Sequence, residues 1–576
     1  MNSLLLAAIM LIGFLVAYHT YGKFLGRKIF KLAADNVCPS HQLRDDIDFV
    51  PTNKHILFGH HFTSIAGLGP IVGPAIAIIW GWVPAVLWVL FGSIFFGAVH
   101  DFGALVVSLR NQGRSIGDIS ADLVNRRVRT LFLLIIFFLL LLVIAVFALI
   151  IALLFNMYPQ AVIPVWLEIP IAVWLGHMVY KRGSSHVTLG IIAVIVMYIT
   201  VVIGAYVPID LKSLGLSAGG ALITWIVIMF IYSYIASTLP VQTLLQPRDY
   251  INSHQLFVAL ALLLLGVLVA HPTIVAPALN ASPEGAPPIW PFLFVIIACG
   301  AISGFHSLVS SGTSSKQCYS EDDARYIGYG GMLMEGTLST LVIVAVGAGI
   351  GIGMVTKDGA TLTGVAAFTH HYASWASANG MAAQLNAFVT GSANMIESYG
   401  IPVNITVTIM GVFIVSFAST TLDTATRLQR YVVGELATAY NVPSLAKRHP
   451  ATIIAVITAF VLAFYNGSGN GALALWPLFG TVNQLLGALA LLVITIYLVK
   501  KKVPSVYTVI PMLFMLIMTG WAMIVNLVDY YTGGKWILFV IGGIVFILEV
   551  WMIIETIIVF RNGITKEKEV PTGAPA

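Results

Sequence analysis

The sequence predicts an all-α polytopic membrane protein of about fifteen transmembrane helices, ten of which form a core of two inverted five-helix repeats. Three observations carry that reading. Of 576 residues, 59% are hydrophobic and only 9% charged, a balance outside the range of soluble globular chains. Apolar runs of about 20 residues, the length that crosses a bilayer as a helix, recur from end to end, and the shorter alternating segments of a membrane barrel do not occur. Two runs, Leu57 to Trp80 and Gly220 to Leu245, are interrupted inside the membrane and lie five spans apart in opposite orientation, as the first helices of inverted repeats would.

Scanning with a window of about 19 residues places the spans near 3–21, 57–80, 83–109, 130–155, 163–180, 186–206, 220–245, 255–271, 290–312, 327–354, 403–425, 451–466, 471–499, 506–528 and 536–560. On this division residues 1–22 form an extra N-terminal span, 57–206 the first repeat, 220–425 the second and 451–560 four additional spans, followed by a disordered tail at 561–576 rich in Lys, Glu and Pro. Lys and Arg concentrate in cytoplasmic loops. With the N-terminus outside and the C-terminus inside, 26 of the 29 Lys and Arg fall inside, and only Lys212, Lys357 and Lys535 fall outside. The first run lacks a basic n-region and a cleavage site before Lys23, which makes it a retained span.

Two long loops flank the core. The inner loop from Gly22 to His55 ends in DFVPTNKH and reads as an ordered lead into the second span. The outer loop from Thr356 to Pro402 carries small and apolar residues at roughly helical spacing, either a pair of helices lying as a lid or an interfacial packing element.

In the second span, LFGHHFTSIAGLGPIVGPAIAIIW, the residues Gly67, Gly69, Pro70, Gly73 and Pro74 oppose a continuous helix, and unwinding is expected between Ala66 and Gly73. Backbone freed at that depth must be satisfied by protein, water or ligand, so it lines a cavity. A Pro-kinked helix whose glycines serve close packing is the competing reading. In the seventh span Ser237, Thr238, Pro240 and Gln242 interrupt a second helix. Gly67, Gly69, Gly73, Ser237, Thr238 and Gln242 are therefore the expected substrate-binding residues.

The ninth span ends GAISGFHSLVSSGTSSKQ, with its hydroxyls read as one helix. Ser310, Ser311 and Thr313, with carbonyls from the broken span, offer the hard oxygen donors that Na⁺ prefers, while hydroxyls bonding back along their own helix are the plain alternative. Ionisable groups in apolar spans are costly and mark function by default. His60 and His61 lie in span two, His100 and Asp101 in span three, His306 in span nine, Glu335 in span ten and Asp423 in span eleven. His60, His61, Asp101 and His306 are ion-coupling candidates through proton relay. Satisfied structural histidines are the alternative, as is an ion pair of Asp101 with Arg110 or Arg114. His100 and Asp101, being adjacent on a helix, are not expected to pair.

No nucleotide-binding GxxxxGK[ST], HExxH or Cys-rich motif occurs, and Cys38, Cys299 and Cys318 show no paired spacing. No cofactor, no metal beyond Na⁺ and no nucleic-acid partner is expected, and primary active transport by this chain is excluded.

The blocks GHHFTSIAGLGPIVGPAIA, GAVHDFGALVVSLRNQGRSIGDI, TLPVQTLLQPRDYINS, GAISGFHSLVSSGTSSKQ, FASTTLDTATRLQRYVVGE and LWPLFGTVNQLLGALALL resemble the carbon starvation protein A family. The resemblance implies a LeuT-like inverted-repeat fold within the amino acid, polyamine and organocation transporters. It also implies a place in the prokaryotic inner membrane and uptake of peptides or of pyruvate during starvation, the latter as proton symport; together with the hydroxyls of span nine, the expected function is import of pyruvate, short peptides or amino acids coupled to H⁺ or Na⁺, with no enzymatic activity. A membrane nutrient sensor using the same pocket is the rival.

Overall fold

The computed structural model describes residues 1–356 and 358–567. Lys357 and the last part of the expected tail, 568–576, lie outside the described residues. The chain is helical almost throughout, and among the described residues twelve helices are long and apolar enough to cross a membrane. In chain order they begin with α1 (Ser3–Ile29), which precedes the inner loop. The loop is ordered: Asp48 accepts from Arg427 Nη1 at 2.6 Å and from Arg430 Nη2 at 2.8 Å, and Thr52 N donates to the Gln317 carbonyl.

The next span is broken. α2 (Lys54–Ala66) and α3 (Gly69–Trp80) meet at an angle of 43°. The unwound part is only Gly67 and Leu68, narrower than the Ala66 to Gly73 stretch expected from sequence. Pro70 explains the early restart, since in the first turn of α3 its missing N–H has no intrahelical partner to lose. Gly67 adopts φ +43°, where a side chain is strained, and a Cβ there would also meet Thr421 Oγ1.

α4 (Trp82–Leu109), the short α5 (Ile116–Leu123), α6 (Arg126–Met157), α7 (Pro159–Lys181), α8 (His186–Tyr206), α9 (Ala218–Thr238) and α10 (Leu245–Ala270) follow. Here the sequence reading needs correction. α9 is continuous to Thr238 and ends there, and Leu239 to Leu244 form the turn into α10. Pro240 and Gln242 thus connect two helices and do not break the seventh span. The second break lies where the ninth span was read as one helix. α11 (Ile289–Ile296) and α12 (Gly304–Gly312) are separated by non-helical chain, and Ser314 to Lys316 form a further 3₁₀ turn.

α13 (Glu321–Gly351) leads to the outer loop, which folds into short helices Gly364–His371 and Trp375–Ala378 and then α14 (Met381–Glu397). Tyr372 of this loop donates its hydroxyl to the Ala75 carbonyl of α3 at 2.6 Å. α15 (Val403–Ala439), the shorter apolar α16 (Arg448–Phe464), α17 (Gly471–Lys500), α18 (Val506–Thr532) and α19 (Trp536–Glu567) complete the chain. α19 therefore continues as helix past Arg561, where the sequence reading began the tail. Fifteen full-length apolar helices are not what the length and hydropathy of the described segments give: one sequence-derived span is the bent pair, one the divided α11 and α12, and one the short α16.

The packing is reciprocal. α3 lies on α13 and α12 on α4; α2 lies on α10 and α12 on α17; α6 and α15 form the most extensive pair, with α9 and α16 against both. α13, α15 and α17 are almost wholly buried and α6 largely so, whereas α8 and α19 keep apolar faces outward, as expected of helices that meet lipid.

Candidate functional site

The two breaks face each other. A Cβ at Gly69 would collide with the Cys299 side chain, and one at Gly73 with the Ile296 carbonyl, so these glycines let α3 press against the non-helical stretch between α11 and α12. On the other side Gly67 abuts Thr421 of α15, and Ser64 and Thr424 approach to 3.3 Å.

Around this junction the structure builds two buried polar clusters. In the first, His60 Nδ1 lies 2.5 Å from Asp249 Oδ2, and His60 Nε2 lies 3.0 Å from Thr313 Oγ1. Gln317 Nε2 also faces that ring nitrogen, at 3.2 Å, and Gln246 ties Gln317 to Thr52 of the inner loop. With Nδ1–H donating to the carboxylate, Nε2 is the acceptor for a hydroxyl or amide N–H, so the network is complete with a neutral ring. Beside Asp249, Arg248 Nη1 pairs with Asp423 Oδ2 at 2.7 Å, and Nη2 donates to Thr420 Oγ1 at 2.6 Å. Tyr232 donates to Asp423 Oδ2 at 2.9 Å and also contacts Arg248; Asn252 donates to Thr420 at 3.0 Å. Ser416, one turn before Thr420 on the same face of α15, donates to Glu168 of α7 at 3.0 Å.

The electrostatics of this cluster are unbalanced. Glu168, Asp249 and Asp423 gather around the guanidinium of Arg248, with Arg427, itself paired with Asp48, acting on Asp423 from farther off; all four groups of the cluster are buried, and among the described residues Glu168 Oε1, Asp249 Oδ1, Asp423 Oδ1 and Arg248 Nε have no hydrogen-bond partner. Carboxylates in excess of cations cannot stay ionised in such a place without a proton or a bound cation.

The second cluster lies between α4, α12 and α13. Asp101 accepts from His306 Nδ1 at 2.9 Å and from His100 Nδ1 at 2.7 Å. The second contact contradicts the expectation that neighbours on a helix cannot pair: both side chains fold toward the same point. Asp101 has no contact with Arg110 or Arg114, which bind Glu321 and Asp118 instead. The other nitrogen of His306, Nε2, lies 3.3 Å from Glu335 Oε2, and donor atoms of Cys299, His306 and Glu335 all lie within 4.8 Å of one another. These three are the residues among those described that are placed to hold a metal ion.

The remaining expected residues are arranged as follows. His61 Nδ1 faces Ser314 Oγ at 2.8 Å. Ser307, Ser311 and Ser315 each donate back to their own segment's carbonyls, and Ser311 also accepts from Ile116 N. Ser310 Oγ is without a partner among the described residues, and Thr313 is taken up by His60 and Gln317. Ser237 and Thr238 bond to the Tyr234 carbonyl, and Gln242 donates to the Asp46 carbonyl of the inner loop. The structure brings together His60 with Thr313, His61 with Ser314, and Asp101 with His306; Ser237, Thr238 and Gln242 are joined to the α9 end and the inner loop. Missing from the expected site were Glu168, Arg248, Asp249 and Cys299. The signal for Arg248 and Asp249 was present in QPRDYINS, whose charges directly abut an apolar run, but the run was started too late, at residue 255.

Outside the membrane part, burial works against ionisation of Asp48, but the guanidiniums of Arg427 and Arg430 outweigh it and hold this carboxyl well below the usual carboxylate range.

The chain matches the family described as carbon starvation protein CstA over residues 2–522. It is 31% identical to the pyruvate/proton symporter BtsT of Escherichia coli, with 88% of this chain and 80% of that protein covered. It is 30% identical to the peptide transporter CstA of Campylobacter jejuni, covering 91% of this chain and 80% of the relative. Among solved structures, a histidine-to-alanine variant of the Eremococcus coleocola manganese transporter aligns with TM-score 0.50 at 10% identity, over 90% of this chain and 99% of that one. At that identity the likeness concerns the fold alone. With a match that runs from the first helix into α18 and relatives aligned over most of their length, the chain belongs to the carbon starvation protein CstA family of membrane transporters.

Proposed function

We propose that this protein is a secondary active transporter of the inner membrane that imports a small nutrient, pyruvate or short peptides or amino acids, on a proton gradient. The observation that carries the reading is the unbalanced cluster of Glu168, Asp249 and Asp423 around Arg248, with His60 against Asp249 and a broken helix beside it. A site that is short of positive charge when empty takes up a proton or cation as part of its cycle. Arg248 already occupies Thr420, and Thr313 is engaged by His60 and Gln317, which favours a proton on the His60 and Asp249 pair over Na⁺ at Ser310, Ser311 and Thr313. The names of the relatives, a pyruvate/proton symporter and several peptide transporters, support pyruvate or peptides as the substrate, and the first of them supports the proton.

The reciprocal packing supports an inverted five-plus-five core with boundaries other than an equal division at residue 206. Its first set is the α2 and α3 pair, α4, α6, α9 and α10; its second is the α11 and α12 pair, α13, α15, α16 and α17. The hairpin of α7 and α8 is then an insertion, and both first helices are broken, with their breaks in contact. Counting each broken pair and α16 as one span gives the fifteen crossings, with the N-terminus outside, that the basic residues require.

The test is uptake into proteoliposomes of labelled pyruvate and of di- and tripeptides, driven by an inward pH gradient without sodium. We expect accumulation, lowered at least tenfold by His60→Gln or Asp249→Asn while exchange at equilibrium persists. Uptake driven by a sodium gradient at symmetric pH and not by protons overturns the coupling. Ligand-induced thermal stabilisation without any uptake would instead make the protein a membrane nutrient sensor.

A further inference from the structure

We infer that Cys299, His306 and Glu335 form a site for a divalent transition-metal ion of zinc-like chemistry, which clasps the second broken helix to α13. The inference stands apart from the transport reading. Cys299 lies in the non-helical stretch after α11, His306 in the first turn of α12 and Glu335 on α13, and their donor atoms lie within 4.8 Å of one another. His306 and Glu335 are completely buried, Cys299 nearly so.

Cys299 Sγ has a contact to Ser303 Oγ at 3.5 Å, whereas hydrogen bonding leaves the other two donors unsatisfied in a specific way. His306 Nδ1 lies 2.9 Å from Asp101 Oδ2, and in the neutral ring that donates its N–H there Nε2 presents a lone pair. That lone pair faces Glu335 Oε2 at 3.3 Å, and among the described residues neither Nε2 nor either Glu335 oxygen has a hydrogen-bond partner. Two acceptors turned toward each other in a buried site need something positive between them. Around a tetrahedral ion with bonds of about 2.0 Å to nitrogen and oxygen, adjacent donors lie roughly 3.3 Å apart, the separation already present between His306 and Glu335.

The surroundings suit a metal better than a bare proton. Metal-bound imidazoles characteristically donate their other N–H to a carboxylate, which fixes the tautomer and raises ligand basicity. Asp101 has that relation to His306, and it is itself oriented by His100 Nδ1 at 2.7 Å. Thiolate, imidazole and carboxylate together are the donor set of zinc and its neighbours, and unlike the oxygen-only shells of Ca²⁺ or Mg²⁺. Charge closes within the ligand set: binding displaces to solvent the thiol proton of Cys299 and the proton otherwise shared by His306 and Glu335, and M²⁺ with one thiolate, one carboxylate and a neutral imidazole is a neutral group, while Asp101 stays outside it against the ring N–H groups of His306 and His100. A fourth position remains for water or a ligand oxygen. Bound there, the ion would join the break to α13 and resist separation of α12 from it.

The experiment uses the purified full-length protein. Metal analysis after exhaustive dialysis, followed by titration of the stripped protein with Zn²⁺ or Co²⁺, should give about one ion per chain. Cobalt should bring a thiolate-to-metal charge-transfer band in the near ultraviolet and visible bands of tetrahedral intensity. Both should survive Cys38→Ser with Cys318→Ser, which leaves Cys299 as the single thiol, and should survive Glu549→Gln on the peripheral α19. Cys299→Ser should abolish the charge-transfer band, and Glu335→Gln should weaken cobalt binding at least tenfold. If either variant fails to fold, the thiol-reduced background alone decides. No cobalt band in that background, or a band with no retained or titratable stoichiometric metal, overturns the inference and leaves His306 and Glu335 sharing a proton.

Discussion

Replacing Gly67 by alanine tests the break in the first half of the core. Two penalties are built into the position. At φ +43° and ψ −139° a non-glycine residue sits in a sparsely populated region, at a cost of about 1–3 kcal/mol. The new Cβ also meets Thr421 Oγ1 on α15, an overpacking worth another 1–3 kcal/mol or so. Gly67→Ala should therefore destabilise the protein by about 2–6 kcal/mol, read by reversible unfolding in mixed micelles. Thr421→Ala removes the hydroxyl but not the backbone strain, so the double variant should recover only the overpacking part, a coupling of about 1–3 kcal/mol in the cycle. Unchanged stability in Gly67→Ala would refute the two-residue break. Full recovery in the double variant would show that the backbone there is unstrained.

Two further outcomes follow from features outside the core. Asp48→Asn leaves Arg427 and Arg430 without their carboxylate; because Asp48 keeps 17% exposure, the loss should be about 3 kcal/mol, the low end of the range for breaking a buried pair. The Asp48 carboxyl is depressed, so its stabilisation is complete above the unfolded value of about 3.9 and vanishes as pH falls through the lower folded value. The stability gap between wild type and variant, measured by thermal unfolding across pH, should accordingly hold from neutral pH down to about 4 and close only in stronger acid. Orientation is checked by membrane-impermeant labelling of single cysteines in intact cells: Lys212→Cys should react and Lys501→Cys should not, and the reverse pattern would invert the topology.

Much of the architecture was legible because the bilayer imposes a coarse and regular signal. Runs of apolar residues located nearly every long helix. Glycine and proline in the second span located its break, though Pro70 was read as a breaker where it starts a helix. The second break was misplaced for a related reason. Pro240 attracts attention just after the end of α9, whereas GAISG has no proline, and its break sits where packing against Ser339 and Asn483 leaves no room for side chains at Gly300 and Gly304. That is tertiary information. His60, His61, Asp101 and His306 were singled out as ionisable groups in apolar surroundings, but their partners Asp249 and Glu335 come from distant helices, and no local pattern pairs them. Arg248 and Asp249 were hidden by a boundary error: charges at the edge of an apolar run look like loop residues until the helix is seen to begin at Leu245.

The separation of these partners has a consequence for how the protein is made. His60 meets Asp249 across 189 residues, and Asp101 meets His306 across 205. At a synthesis rate of about 5–20 residues per second, His60 waits on the order of 10–40 s for its carboxylate. Asp101, with only His100 at hand, waits as long for His306. A charged side chain at the centre of an inserting helix costs about 2.5–3.5 kcal/mol, so α4 gains its full hold on the membrane only after α12 has been delivered. The first half of the chain is therefore the client most in need of protection during biogenesis, and truncation before residue 306 should send it to proteolysis even though its helices are apolar enough to insert.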